Sequence, residues 1–186
     1  MPPTFPRIVE AVASDADTFA AVHARSWRSA YRGFAPDDWL DSPDLEPSAR
    51  RYWRDTFAAP PDGMRTWLAL EGEVAVGFVN IAPPPADPRP DEEVPEGCGY
   101  LHHIHLLPQT VGRGVGTLLF GHACKVLEVA GFAEAVLWVY EPNERARGFY
   151  EAMGWRHDGT VAPHAFPSAA GPVTVPNLRY RGATAR

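Results

Sequence analysis

Glycines stand at every second position from Gly112 to Gly116, between a histidine-bearing segment, Tyr100 to Leu107, and an apolar run, Leu118 to Ala130. Without Cβ atoms, such a turn bends sharply and exposes consecutive N–H groups. Here those groups coincide with the positive end of a helix that starts at the last glycine. This arrangement suits a phosphate. A nucleoside-triphosphate loop is excluded, because Gly116 is followed by Thr117 and Leu118 instead of Lys and Ser/Thr. A dinucleotide fingerprint would need glycine at Thr117, although Glu141 could imitate its ribose-binding acid. A nucleotide-dependent oxidoreductase is therefore a third-ranked alternative.

The histidines before the turn are the next groups with chemical capacity. In an alternating strand, Tyr100, His102, Ile104 and Leu106 project to one side, and His103 and His105 to the other. Imidazole titrates near operating pH, which suits a base. As metal ligands the three histidines are divided by the alternation and have no adjacent Cys or Asp, so no metal is expected.

Several elements must position these groups. Arg7 to Ala13 reads as a first strand, and Ser14 with Asp17 as a helix start. Phe19, Val22, His23, Trp27 and Ala30 then recur at helical spacing. Pro47 opens a second helix to about Phe57, with Ala49, Tyr52, Trp53 and Phe57 inward. Thr66 to Leu70 and Val74 to Ile81 form a hairpin about Glu71-Gly72-Glu73. Proline and acid dominate residues 83–97, which read as a surface loop. Val136 to Tyr140 is a strand, and Asn143 caps a helix that ends at Gly154. Trp155 to Val161 and Val175 to Arg181 are the last strands, separated by a loop containing His164. These elements predict one α/β (α+β) domain over residues 1–186, with a mixed sheet covered on both faces.

Val111-Gly-Arg-Gly-Val-Gly116, followed one strand later by Asn143-Glu-Arg-Ala-Arg-Gly-Phe-Tyr150-Glu-Ala-Met-Gly154, resembles the GNAT superfamily of acyl-CoA N-acyltransferases. Val111 departs from the Gln or Arg usual at the loop's first position. The resemblance implies the GNAT fold: a mostly antiparallel sheet of about seven strands whose members before and after the long central helix splay apart. It implies acetyl-CoA as cofactor, bound by Arg113, Gly114, Val115, Gly116 and Thr117, by the strand edge at His105 and Leu106, and by Asn143, Arg147 and Tyr150. Tyr150 takes the part of general acid and Leu106 N–H that of carbonyl polariser. His102 aligns with the catalytic histidine of some members, while the base stays open among His102, a water chain and another residue. Trp27-Arg-Ser-Ala-Tyr31-Arg-Gly33 resembles the acceptor-side region of a GNAT subset. Trp27, Tyr31 and Tyr100 are accordingly expected to line the acceptor pocket, although each aromatic alone also reads as core.

The chain has 186 residues, 45% hydrophobic and 22% charged, as in an ordinary soluble domain. A net charge of −6 argues against nucleic acid and is electrostatically compatible with a cationic small-molecule amine as acceptor. No leader pattern and no run of about 18 apolar residues occurs, so a cytoplasmic monomer or homodimer without membrane contact is expected. The reading is an N-acetyltransferase that works by direct attack in a ternary complex. Its alternatives are a non-catalytic acyl-CoA-binding or sensing module, and acetylation of a protein N-terminus or lysine.

Overall fold

The computed structural model describes residues 6–83 and 88–185. Strand β1 (Arg7–Glu10) leads through a 3-10 turn into helix α1 (Ala16–Ala30). The expected start at Ser14 is displaced: Asp15 supplies the carboxylate, accepting from Val12 N–H at 2.9 Å, while Asp17 bonds Arg54 across the surface. A short helix not foreseen, α2 (Asp37–Leu40), precedes α3 (Leu45–Ala58), and Arg28 Nε ties α1 to it by donating to the Leu40 carbonyl at 3.0 Å. Then come β2 (Arg65–Glu71), β3 (Val74–Ile81), β4 (Gly99–Leu106), α4 (Val115–Val129), β5 (Glu134–Tyr140), α5 (Glu144–Ala152), β6 (Arg156–Phe166) and β7 (Val173–Ala183).

The seven strands form one sheet in the order β1-β2-β3-β4-β5-β7-β6, antiparallel throughout except for β4 with β5. Helices α1 and α3 cover one face around Phe19, Trp53 and Phe78; α4 and α5 cover the other around Phe120, Leu119 and Trp155. The amphipathic spacing accounts for the α1 layer, since Phe19, Val22 and His23 are buried, Trp27 is half-buried and the last position, Ala30, is exposed. On α3 the inward pair is Ala49 and Trp53, while Tyr52 is exposed. Among the described residues, no helix is long and apolar enough to cross a membrane.

Three departures from expectation shape the site. First, β6 continues to Phe166, so His164 lies on a strand and not in a loop. The prolines permit this because Pro163 faces Pro176, and the Pro176 carbonyl points to β5, where it accepts Glu141 N–H at 2.9 Å. The pair therefore needs no ladder bond of its own. Secondly, residues 88–97 fold inward with a 3-10 turn, Pro90–Glu92, whose Asp91 is buried; residues 84–87 of the expected loop lie outside the described residues.

Thirdly, β4 carries a bulge. Asn80 pairs with His103 and Ile81 with Leu101, leaving His102 as an extra residue. The extra residue reverses the alternation: Leu101, Ile104 and Leu106 all pack toward α4, while His102 stacks on His103, with ring centroids 4.0 Å apart. A bulge also bends its strand. This one lies just beyond Tyr100↔Val136, the last of the two parallel pairs joining β4 to β5, and from there the strands part.

Candidate active site

The parted strands open a cavity of about 1250 Å³ that runs from the glycine turn, past β4 and β5, to the aromatic side chains of α1. At one end, Gly112 and Gly114 take φ of +81° and +84°, the left-handed region, and Gly114 is the N-cap of α4. Leu118 N–H is the first to bond back, to the Gly114 carbonyl at 3.0 Å, so the amides of Val115, Gly116 and Thr117 have no intrahelical acceptor. Arg113 has partners within the protein. Its N–H donates to the Thr110 carbonyl at 3.3 Å, and its guanidinium pairs with Glu71 at 2.9 Å.

Register decides which β4 amides face the gap. Leu107 N–H donates to the Val76 carbonyl on β3, so by alternation Leu106 N–H points the other way, toward β5. His105, one residue earlier, turns its amide to β3 and its ring to α1, where Nδ1 lies 3.1 Å from Ser26 Oγ. The residue lines the cavity on that side, with its amide engaged toward β3.

Across the gap, α5 brings Asn143 and Tyr150 to the cavity. Asn143 Oδ1 accepts Ala146 N–H at 3.2 Å as the helix cap, which leaves its amide NH₂ for a ligand. Tyr150 is 7% exposed, and burial pushes its phenol well above the ordinary tyrosine range, so it holds its proton. Arg147 does not line the cavity: it donates to Tyr180 Oη at 3.2 Å and to the Glu141 carbonyl at 3.0 Å. Arg145, which sequence reasoning passed over, lines it instead.

On the α1 face, Trp27, Tyr31 and Tyr100 all line the cavity, and the first two also pack with Phe34, Trp39 and Tyr140. Core packing and pocket lining are thus the same contact surface. His102 lies there too, but burial lowers its pKa to about 4, which leaves a neutral and weakly basic ring. Burial likewise lowers His105 to about 3, and takes His103 and His23 well below their usual range.

The division of the histidines, which argued against a metal, does not hold on this bulged strand. Ligand atoms of His23, His103 and His105 lie within 4.8 Å of one another. Trp53 Nε1–H, however, donates to His23 Nδ1 at 3.1 Å. In a neutral ring that places the proton on Nε2, making it a donor where a metal would need a lone pair.

Two further residues were not foreseen. Asp91 and His164 meet at the far wall, with His164 Nδ1 2.5 Å from Asp91 Oδ2. No local pattern links them, because they stand 73 positions apart in the chain.

Residues 24–155 match the model of the family described as Acetyltransferase (GNAT) family. A probable N-acetyltransferase of Mycobacterium tuberculosis is 26% identical over 183 residues, covering 97% of this chain and 95% of that protein. A phosphinothricin N-acetyltransferase of Streptomyces coelicolor is 26% identical over 124 residues, covering 65% and 68% respectively. Among solved structures, the PaiA N-acetyltransferase of Thermoplasma acidophilum in complex with coenzyme A superposes with a TM-score of 0.72 at 16% identity, over 97% of this chain and 99% of that one.

Proposed function

Because the chain belongs to the acetyltransferase (GNAT) family, we propose that this enzyme transfers acetyl from acetyl-CoA to the primary amine of a small molecule, by direct attack with both substrates bound. The observation that carries this reading is the gap between β4 and β5, which has α4 amides without an intrahelical acceptor at one end, Leu106 N–H along its edge and Tyr150 in its lining. Bound acetyl-CoA would supply an activated acetyl thioester and a thiol leaving group.

The chain's own residues then have separable tasks. Gly114, Val115, Gly116 and Thr117 present N–H groups and the positive end of α4 to the pyrophosphate. Asn143 donates its amide NH₂ to the cofactor arm. Leu106 N–H stabilises charge developing on the acetyl oxygen. Tyr150 gives its proton to the departing sulfur; a phenol kept protonated by burial is matched to that step. Trp27, Tyr31 and Tyr100 wall the acceptor side, where faces of aromatic rings attract an ammonium group. A small acceptor also agrees with the phosphinothricin relative's substrate, named in its description.

The test is direct. Acetyl-CoA should raise the melting temperature of the purified protein, and a panel of small primary amines should release CoA thiol in its presence. A protein that neither shifts nor releases thiol would end this reading.

A further inference from the structure

The far wall of the cavity holds a carboxylate–imidazole pair that the tasks above leave unused. Asp91 comes from the turn before β4, and His164 from the C-terminal end of β6. Asp91 has a side chain only 6% exposed and His164 one 18% exposed. A buried carboxylate is costly unless paired, and this one has His164 Nδ1 at 2.5 Å on one oxygen and Arg89 Nε at 3.6 Å from the other. Burial alone would raise its pKa. The His164 hydrogen bond and the Arg89 charge overcome that, holding the group below the usual carboxylate value and therefore ionised. An ionised carboxylate can only accept, so the shared proton sits on His164 Nδ1, and in the neutral ring Nε2 carries a lone pair.

The surroundings of the imidazole suit an amine. Its ring lies 4.9 Å from that of Tyr140, which in turn meets Tyr31 edge-on at 5.2 Å. Across the β6–β7 ladder His164 faces Val175 and Ala162 faces Asn177, while Asn177 also faces Tyr140 on β5. Paired residues share a face of the sheet, so Asn177 and His164 look into the same cavity, which both line. Asn177 is 5% exposed, and its Oδ1 is buried without a hydrogen-bond partner among the described residues. An acceptor oxygen left over inside a polar wall points to a ligand that donates.

We propose that His164 Nε2 is the base that takes the proton of the acceptor's ammonium group, with Asp91 as its positioning residue and Asn177 Oδ1 accepting a second N–H of the same amine. This deepens the acetyltransferase reading and rests on it. The ammonium transfers one proton to Nε2, and its freed electron pair forms the C–N bond at the acetyl carbon. As the C–S bond breaks, the electron pair passes to sulfur, which is protonated by Tyr150. The second ammonium proton, lost as the amide forms, restores the phenol. One amide, one thiol and one imidazolium result, and the imidazolium returns its proton to solvent.

The test has one arm that needs no acceptor. In the full-length protein labelled with ¹⁵N-histidine, the His164 resonances, identified by their loss in His164→Gln, should show Nδ1 protonated and Nε2 bare at the assay pH. Asp91→Asn should abolish that preference. A protonated Nε2 in the wild type overturns the proposal whatever the substrate.

The second arm is kinetic, using phosphinothricin, putrescine and phenethylamine as probe amines. With the best of them, His164→Ala should lower kcat about 100-fold or more, leave the acetyl-CoA thermal shift unchanged, and regain several-fold activity on addition of free imidazole. A purely structural contact would not be rescued in this way. Turnover within about threefold of wild type overturns the assignment of the base while leaving the acetyltransferase reading intact. A wild type that binds acetyl-CoA yet acetylates none of the probes overturns that reading, and the proton transfer with it.

Discussion

Two residues, Tyr150 and His102, show how burial assigns protons in this cavity. Desolvation disfavours the charged form of both, but the consequences are opposite because a phenol is charged when it loses a proton and an imidazole when it gains one. Tyr150 is kept as an acid. Replacing it with Phe should lower kcat by about 100-fold or more, with the acetyl-CoA affinity within about threefold; comparable losses in both would make Tyr150 a binding residue instead. His102, lowered to about 4, stays uncharged through neutral pH. His102→Gln should therefore leave any ionisation seen in kcat/KM above about pH 6 in place. Disappearance of such a limb would restore His102 as the base.

At the scale of elements, the glycine turn and α4 act together because Gly114 belongs to both. Its φ of +84° places the first α4 amides, and an L side chain there would cost roughly 1–2 kcal/mol. Gly116 is different: a Cβ would meet Leu106 Cδ1 at 3.4 Å and Phe149 at 3.6 Å, which is ordinary contact. Gly114→Ala should thus lower the melting temperature by about 2–8 °C and weaken acetyl-CoA at least about tenfold. Gly116→Ala should keep affinity within about threefold. Equal effects, measured by thermal scans and calorimetric titration, would show that backbone conformation at 114 is not what forms the cradle. The β4 bulge is the other decisive local feature, since one unpaired residue turns His102 to the acceptor face at the point where the sheet opens.

The molecule as a whole stores a set of neutral histidines against one side of its sheet. His102 and His105 are lowered to about 4 and about 3, and His23 and His103 well below 6.5, in each case mainly by burial. In the unfolded chain these rings take up protons as pH falls through 6.5, whereas in the folded protein they do not until much lower. The unfolded state thus binds more protons in that window, and stability falls on acidification from about 6.5 toward about 4, by up to ~1.4 kcal/mol per pH unit for each ring. Paired carboxylates such as Asp158 add their loss only near and below their usual value of 3.8. Urea midpoints should therefore already decline between about pH 6.5 and 4.5. A flat profile there would mean that the rings are reached by solvent in the folded state.

Local signals in the chain determined the helices with a strong apolar face, the hairpin about Gly72, the phosphate-type turn and the family to which it points. Glycine conformation, helix amphipathicity and the Asn143 cap act over a few residues, so they can be read from spacing. Only the folded chain decided which of the named groups meet. Strand alternation grouped His102 with Ile104 and Leu106, but the bulge in the pairing with β3 turns those two toward α4 and leaves His102 beside Tyr100 and His103. Arg113 and Arg147 carried suitable charge but found partners in Glu71, Tyr180 and the Glu141 carbonyl. Asp91 and His164 became neighbours through the sheet order, which sets β6 beside β7 and folds the segment before β4 onto them. Hydrogen-bond partners and burial depend on contacts between residues far apart in sequence, and such contacts leave no period or spacing in the chain itself.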